Sequence, residues 1–170
     1  MWDVSQGRKE VKLMDNNFLA NEREFVNEQL DYAIKHNLYL DFNQGLDCRL
    51  VDDEVAIRLS RCRWKPAIRF ACDHQNILPY LRFAVYALRL FGYKGDVYCY
   101  VLAKELEESM DRVKRILDID RRIFPFVQPW RNLDTDGEVV SPVLRKFARW
   151  CNRVAIRKRC SFEEYMKGTK

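Results

Sequence analysis

Histidine is nearly absent: His36 and His74 are the only two in 170 residues. A Ser-His-Asp triad or a histidine metal centre therefore has little material. His36 reads as a charge at the carboxyl end of a helix. His74 reads either as a ligand contact at a strand mouth or as a solvated loop residue. No run of about 18 apolar residues exists that would span a bilayer, and the start, Met1-Trp2-Asp3-Val4-Ser5, lacks the basic-then-apolar order of a signal peptide. The expectation is a cytoplasmic protein with no membrane partner. Cys48, Cys62, Cys72, Cys99, Cys151 and Cys160 are scattered, the closest two being nine positions apart, so neither a C-x-x-C knuckle nor a C-x3-C-x2-C cluster motif occurs. They read as buried thiols of a reducing compartment, and no residue set qualifies as a metal site.

What is present is enough for one domain: 48% hydrophobic and 13% aromatic residues bury a real core. The net charge of +5, from 30 basic and 25 acidic residues, is a mild excess that tolerates a nucleic-acid partner without requiring one.

Apolar strands alternate with amphipathic helices along the chain. Val11–Met14 is a strand running into Asp15-Asn16-Asn17, and a helix follows from about Glu22 to His36 with Val26, Leu30, Ala33 and Ile34 on its packing side. A second strand, Leu38–Phe42, precedes Asp52, placed to cap a helix carrying Val55, Ile57 and Leu59. Ala67–Asp73 is a third strand, and Pro79 and Gly92 bracket a helix from about Ile77 to Phe91. Val97–Leu102 is the fourth, followed by a helix on which Leu106, Met110, Val113 and Leu117 recur. Ile123–Pro129 is the fifth, its two prolines arguing for a sheet edge. A turn through Asp134–Gly137 leads to Ser141-Pro142, which opens a last helix reaching about Lys158. This order implies an α/β fold with parallel strands and right-handed crossovers.

The stretch from Leu38 to Arg49 organises the rest. Leu38, Leu40 and Phe42 share one parity while Asp41 and Asn43 share the other, giving one face to packing and one to polar work. Other strands repeat this toward their carboxyl ends, which suits a partial barrel with a polar mouth better than an open doubly wound sheet. Ligands of parallel α/β folds sit beyond those ends, so Asp15, Asn16, Asn43, Gln44, Arg69, Asp73, Tyr100 and Gln128 should line one cleft. The set suits a polar ligand with a carboxylate and hydroxyls, and holds no evident nucleophile and base, so catalytic residues stay unassigned. Two readings of Arg69 and Asp73 stand: an ion pair inside the barrel, or ligand contacts. Asp41 and Asp47 as an acid–base pair lack any supporting motif.

The runs Leu13–Ala20, Asp41–Leu50, Ile68–Asp73 and Tyr98–Leu102, in that order, together with Phe147–Arg153 and Ser161–Tyr165, resemble radical S-adenosylmethionine (radical SAM) proteins, notably bacterial and phage-associated ones. The resemblance covers nearly the whole chain. It implies a partial (βα)6 barrel whose first strand leads into a C-x3-C-x2-C loop holding a [4Fe-4S] cluster, with S-adenosylmethionine bound at the later strand ends. By this resemblance Asp15-Asn16-Asn17 stands where the methionine part is contacted. Asn43, Gln44, Arg69 and Asp73 stand at the next two strand ends, and Tyr100 and Leu102 near the adenine. The sequence departs from the family in having no first strand and no cluster cysteines. It reads as the carboxyl-terminal part of such a barrel, truncated or split, not catalytic alone. The expected partners are a missing amino-terminal segment, a second chain, or another copy paired through the exposed edge strand.

A different class of function is suggested by the last helix. Arg145, Arg149, Arg153 and Arg157 recur every four residues and no acidic residue lies between Pro142 and Cys160. Over about 142–158 the spacing predicts a basic helix that either binds nucleic acid or is simply solvated.

Overall fold

The computed structural model describes residues 7, 9–14, 17–131 and 140–168. The fold is α/β, and every strand pairing in it is parallel. In chain order the elements are β1 (Glu10–Leu13), α1 (Arg23–Lys35), β2 (Tyr39–Phe42), α2 (Asp53–Arg61), β3 (Arg63–Trp64), β4 (Ile68–Ala71), α3 (Leu78–Leu90), β5 (Val97–Ala103), α4 (Leu106–Leu117), β6 (Ile123–Pro129), α5 (Pro142–Asn152), α6 (Val154–Arg159) and α7 (Phe162–Gly168). The strands form two three-stranded sheets, β1-β2-β3 and β4-β5-β6. No closed barrel is present among the described residues. No helix among them is long and apolar enough to cross a membrane.

The two sheets meet at one point. After β2 the chain turns through Asn43-Gln44-Gly45, and Leu46 then bridges to Phe70 of β4. The Leu46 N–H donates to Arg69 O at 2.8 Å and Leu46 O accepts from the Ala71 N–H at 3.3 Å. The third expected strand, Ala67–Asp73, is β4, which pairs with β5; a short strand not expected from the sequence, β3, precedes it and pairs with β2, and Lys65-Pro66-Ala67 separates the two. Pro66 has no N–H to give a ladder, which is reason enough for an interruption there.

Alternation builds the core. Along β5, Val97, Cys99, Val101 and Ala103 are buried against helices while Tyr98, Tyr100 and Leu102 are half-buried on the other face. Ile68, Phe70 and Cys72 follow the same rule in and just after β4. Each fully buried Leu, Ile or Phe contributes about 1.5–3 kcal/mol by leaving water. Helix ends follow local chemistry: Asp52 Oδ1 accepts from the Val55 N–H at 2.9 Å to start α2, and Gly92, at φ +92, terminates α3.

The single helix expected over 142–158 is two, because Arg153 (φ −101, ψ 91) breaks it. The cause is Asn152. Its Oδ1 accepts from the Val127 N–H at 2.7 Å and its Nδ2 donates to Val127 O at 2.9 Å, so the side chain satisfies the outer edge of β6 and turns the chain away. α7 then folds back, packing Phe162 against Phe147 and Trp150 at centroid distances of 5.4 and 5.7 Å. The expected turn at Asp134–Gly137 lies outside the described residues.

Candidate ligand-binding cleft

Among the described residues the face of β4-β5-β6 opposite the helices is left uncovered, and with the Asn43–Gln44 turn it forms an open cleft of about 660 Å3. Six of the eight residues expected from the sequence line it: Asn43, Gln44, Arg69, Asp73, Tyr100 and Gln128. Asp15 and Asn16 lie outside the described residues. Parity explains the convergence. Arg69, Ala71 and Asp73 alternate out of β4 onto the face that Tyr98, Tyr100 and Leu102 share on β5, and Phe126 and Gln128 share on β6.

Arg69 is the cation of the cleft, 13% exposed, and it pairs through Nη1 with Asp41 of β2. The open choice over Arg69 and Asp73 is thereby resolved: they are not an ion pair. Asp41 takes the arginine because β2 runs beside β4, and Asp73 turns its Oδ1 to the Leu102 N–H at 2.9 Å. Among the described residues, Nε and Nη2 of Arg69 have no acceptor, so a planar donor edge remains for a ligand carboxylate. Asp47 engages Arg49 instead, at 2.6 Å, and accepts from its N–H at 3.0 Å, so Asp41 and Asp47 are separately occupied and form no acid–base pair. The Arg49 hydrogen bond holds the Asp47 carboxyl below its ordinary range.

Tyr100 closes one wall. Its hydroxyl donates to Asn43 O at 3.0 Å, its ring meets Phe126 edge-on at 5.8 Å, and burial pushes its phenol up. Gly45, at φ +85, lets the turn pass; a Cβ there would stand 3.2 Å from Tyr100 Cδ2. Tyr98, Phe126 and Leu102 supply apolar surface between the polar groups.

Behind the cleft is Arg112 of α4, only 1% exposed, which sequence reading missed. It donates through Nη1 to Asp73 O and through Nη2 to Leu102 O at 2.8 Å, tying together the ends of β4 and β5. Glu108 neutralises it from one turn earlier at 3.1 Å. That i,i+4 pair is the signal the sequence carried, hidden because Arg112 sits directly beside the apolar stripe of α4. His74 is exposed and outside the cleft lining, and His36 is exposed at the end of α1, its ring tilted against that of Tyr32 at a centroid distance of 4.2 Å.

No cysteine lines the cleft. Cys48, Cys62, Cys72, Cys99 and Cys151 are buried, and burial pushes the Cys48 and Cys62 thiols up to about 12 and that of Cys151 to about 11. Among the described residues no three His, Cys, Asp or Glu side chains are grouped to hold a metal. A [4Fe-4S] cluster needs several thiolates brought together, and the described residues present no such group to hold one. The arginine series is also divided: Arg145 and Arg149 belong to α5, Arg153 is the break, and Arg157 belongs to α6. No protein-family model matches the chain, and no match is found among curated proteins or solved structures.

Proposed function

We propose that this chain is the S-adenosylmethionine-binding part of a radical SAM-like partial barrel, and that the cleft between the Asn43–Gln44 turn and β4-β5-β6 holds that molecule. The observation that carries the reading is the meeting, on one uncovered sheet face, of one under-used cation, one carboxylate, three amides and three aromatic rings from four different stretches of chain. A cleft of about 660 Å3 falls within the range of small-molecule sites. Arg69 offers its free edge to the methionyl carboxylate. Asp73, with one oxygen held by Leu102, keeps the other for an ammonium or ribose hydroxyl. Asn43, Gln44 and Gln128 serve the remaining hydroxyls and ring nitrogens, and Tyr98, Tyr100 and Phe126 supply stacking surface.

The cluster expected of the radical SAM family has no ligand set among the described residues, so the proposal is for binding and not for cleavage of S-adenosylmethionine by these residues alone. A cluster-bearing strand would come from elsewhere and join at β1. The test is anaerobic reconstitution with iron and sulfide, followed by a count of iron and an assay for 5′-deoxyadenosine, beside a calorimetric titration with S-adenosylmethionine. Weak binding that Arg69→Ala abolishes, with no site-bound iron, is the expected result. About four irons per chain with turnover would overturn the proposal, and so would binding that Arg69→Ala leaves unchanged.

A further inference from the structure

The cleft does not end at Gln128. Gln128 and Leu102 also line a second, more open hollow of about 620 Å3 between the end of β6 and α5, which runs past Trp130 and Arg131 to Arg149. Trp130 and Arg131 in turn line a third hollow of about 390 Å3 together with Lys104 and Glu105. The three hollows share residues in sequence, so one continuous track leads from the cleft around the edge of β6. Along that track aromatic and cationic groups alternate. Phe126 and Trp130 are 38% and 37% exposed. They share a strand face because the Trp130 N–H continues the ladder to Ala103 O at 2.8 Å, which separates them by about 13 Å at the usual strand rise. Lys104 Nζ stands 5.2 Å from the Trp130 ring centre.

Among the described residues the basic side chains of this shelf form no ion pair, although Glu105 lines the third hollow beside Lys104. Eight arginines elsewhere (Arg23, Arg49, Arg58, Arg69, Arg89, Arg112, Arg115 and Arg122) are ion-paired to carboxylates. Lys104, Arg131 and Arg149 are exposed and have no carboxylate partner among the described residues. Residues 141–159 hold seven of the 30 basic residues and none of the 25 acidic ones, so outside them acidic residues outnumber basic ones. Of these seven, Arg149 lines the shelf.

We propose that this shelf binds single-stranded nucleic acid, bases stacking on Trp130 and Phe126 and phosphates on Lys104, Arg131 and Arg149, so that the strand reaches the mouth of the cleft. A solvent-exposed indole among exposed cations is the arrangement that holds a flexible polyanion with planar bases, and it does so with little regard to sequence. A duplex cannot offer its base faces to an indole, which is why the strand must be single. The proposal names the substrate class for the cleft and rests on the cleft reading for its chemistry, but not for its binding.

The test is fluorescence anisotropy with an end-labelled 12-nucleotide RNA of mixed sequence, the DNA strand of the same sequence, and its duplex, each across 50–200 mM salt. Single strands should bind better than duplex, with a log–log salt slope of about −2 for three phosphate contacts. Trp130→Ala should weaken binding about 5- to 100-fold, the range of one lost stack, while Trp130→Phe keeps most of it. Arg149→Ala should make the slope shallower by about 0.7. Arg157→Ala, on α6 and off the shelf, should change nothing, and circular dichroism confirms folding of each variant. RNA preferred over DNA would identify the 2′-hydroxyl as read; equal binding would identify backbone and stacking alone. No salt-dependent binding, equal affinity for duplex, a folded Trp130→Ala that binds as wild type, or a loss on Arg157→Ala would overturn the proposal. Binding of S-adenosylmethionine without oligonucleotide would count against the shelf only, and the converse against the cleft only.

Discussion

Asp73 and Leu102 hold one another at the ends of β4 and β5: Oδ1 of Asp73 accepts from the Leu102 N–H at 2.9 Å, while Arg112 donates to the backbone oxygens of both residues. A buried cation thus fixes the spacing of the two strands that contribute most to the cleft. Asp73→Asn keeps an acceptor for Leu102 and should leave stability nearly unchanged, whereas Asp73→Ala should cost about 1–2 kcal/mol. Arg112→Met, which keeps the stem but leaves two half-buried carbonyls without their donor, should cost about 2–4 kcal/mol. Urea unfolding of the three variants checks the order; a neutral Arg112→Met would show that the strand ends need no tie.

Asn152 is a substitute strand. Its amide meets both backbone groups of Val127, a residue 1% exposed at the outer edge of β6. Asn152→Ala should destabilise the fold by about 2–4 kcal/mol, since a buried N–H and C=O both lose their partners. Amide exchange at Val127 should speed up in the same variant, and an unaltered rate there would contradict this role.

A pH limit follows from Asp120. Hydrogen bonds from Arg89, at 2.8 and 3.2 Å and about one-fifth exposed, hold its carboxyl below the ordinary value. A carboxyl with a depressed folded pKa binds fewer protons folded than unfolded. Its stabilisation is therefore full above the unfolded value of about 3.9 and is lost as pH falls through the lower folded value. Asp120→Asn should remove about 1–2 kcal/mol at pH 7 and flatten the acid limb of stability below about pH 4. Thermal melts from pH 2 to 7 decide it, and parallel acid limbs in the two proteins would be the contrary result.

The order of strands and helices was legible because periodicity changes cleanly from two to near four along this chain; Arg69, Asp73, Tyr100 and Gln128 followed from strand parity, and Asn43 and Gln44 from their place just beyond the carboxyl end of β2. The arginine over Asp41 was not, since the partner of Arg69 depends on which strand lies beside β4. Nor was Arg112, whose charge sits on the buried flank of an otherwise ordinary amphipathic helix. The break at Arg153 escaped notice because nothing local marks it: the helix ends where Asn152 finds an acceptor and donor on a strand 25 residues earlier. The short β3 was invisible for a similar reason, as two residues, Arg63 and Trp64, become a strand only by pairing with Tyr39 and Leu40. Tertiary pairing decides such details.

β1 pairs only with β2 among the described residues, leaving one row of donors and acceptors open. An open edge recruits another strand. We expect the protein either to self-associate through residues 10–13 or to accept an added strand there, with a rise in melting temperature when a peptide of matching alternation is supplied. Light scattering combined with amide exchange at Val11, Lys12 and Leu13 reads this directly; a monomer with fast-exchanging amides that ignores every added strand would contradict it.

Binding of S-adenosylmethionine in the proposed cleft is tested most directly by a nitrogen–proton NMR titration of the labelled protein with that molecule. Saturable shifts should centre on the amides of Asn43, Gln44, Arg69, Asp73, Tyr100 and Gln128, with a dissociation constant of about 10 µM to 1 mM. No shifts at several millimolar ligand would show that the cleft does not bind it, and saturable shifts confined to α3, α6 or α7 would place the ligand elsewhere; either contradicts the proposed site.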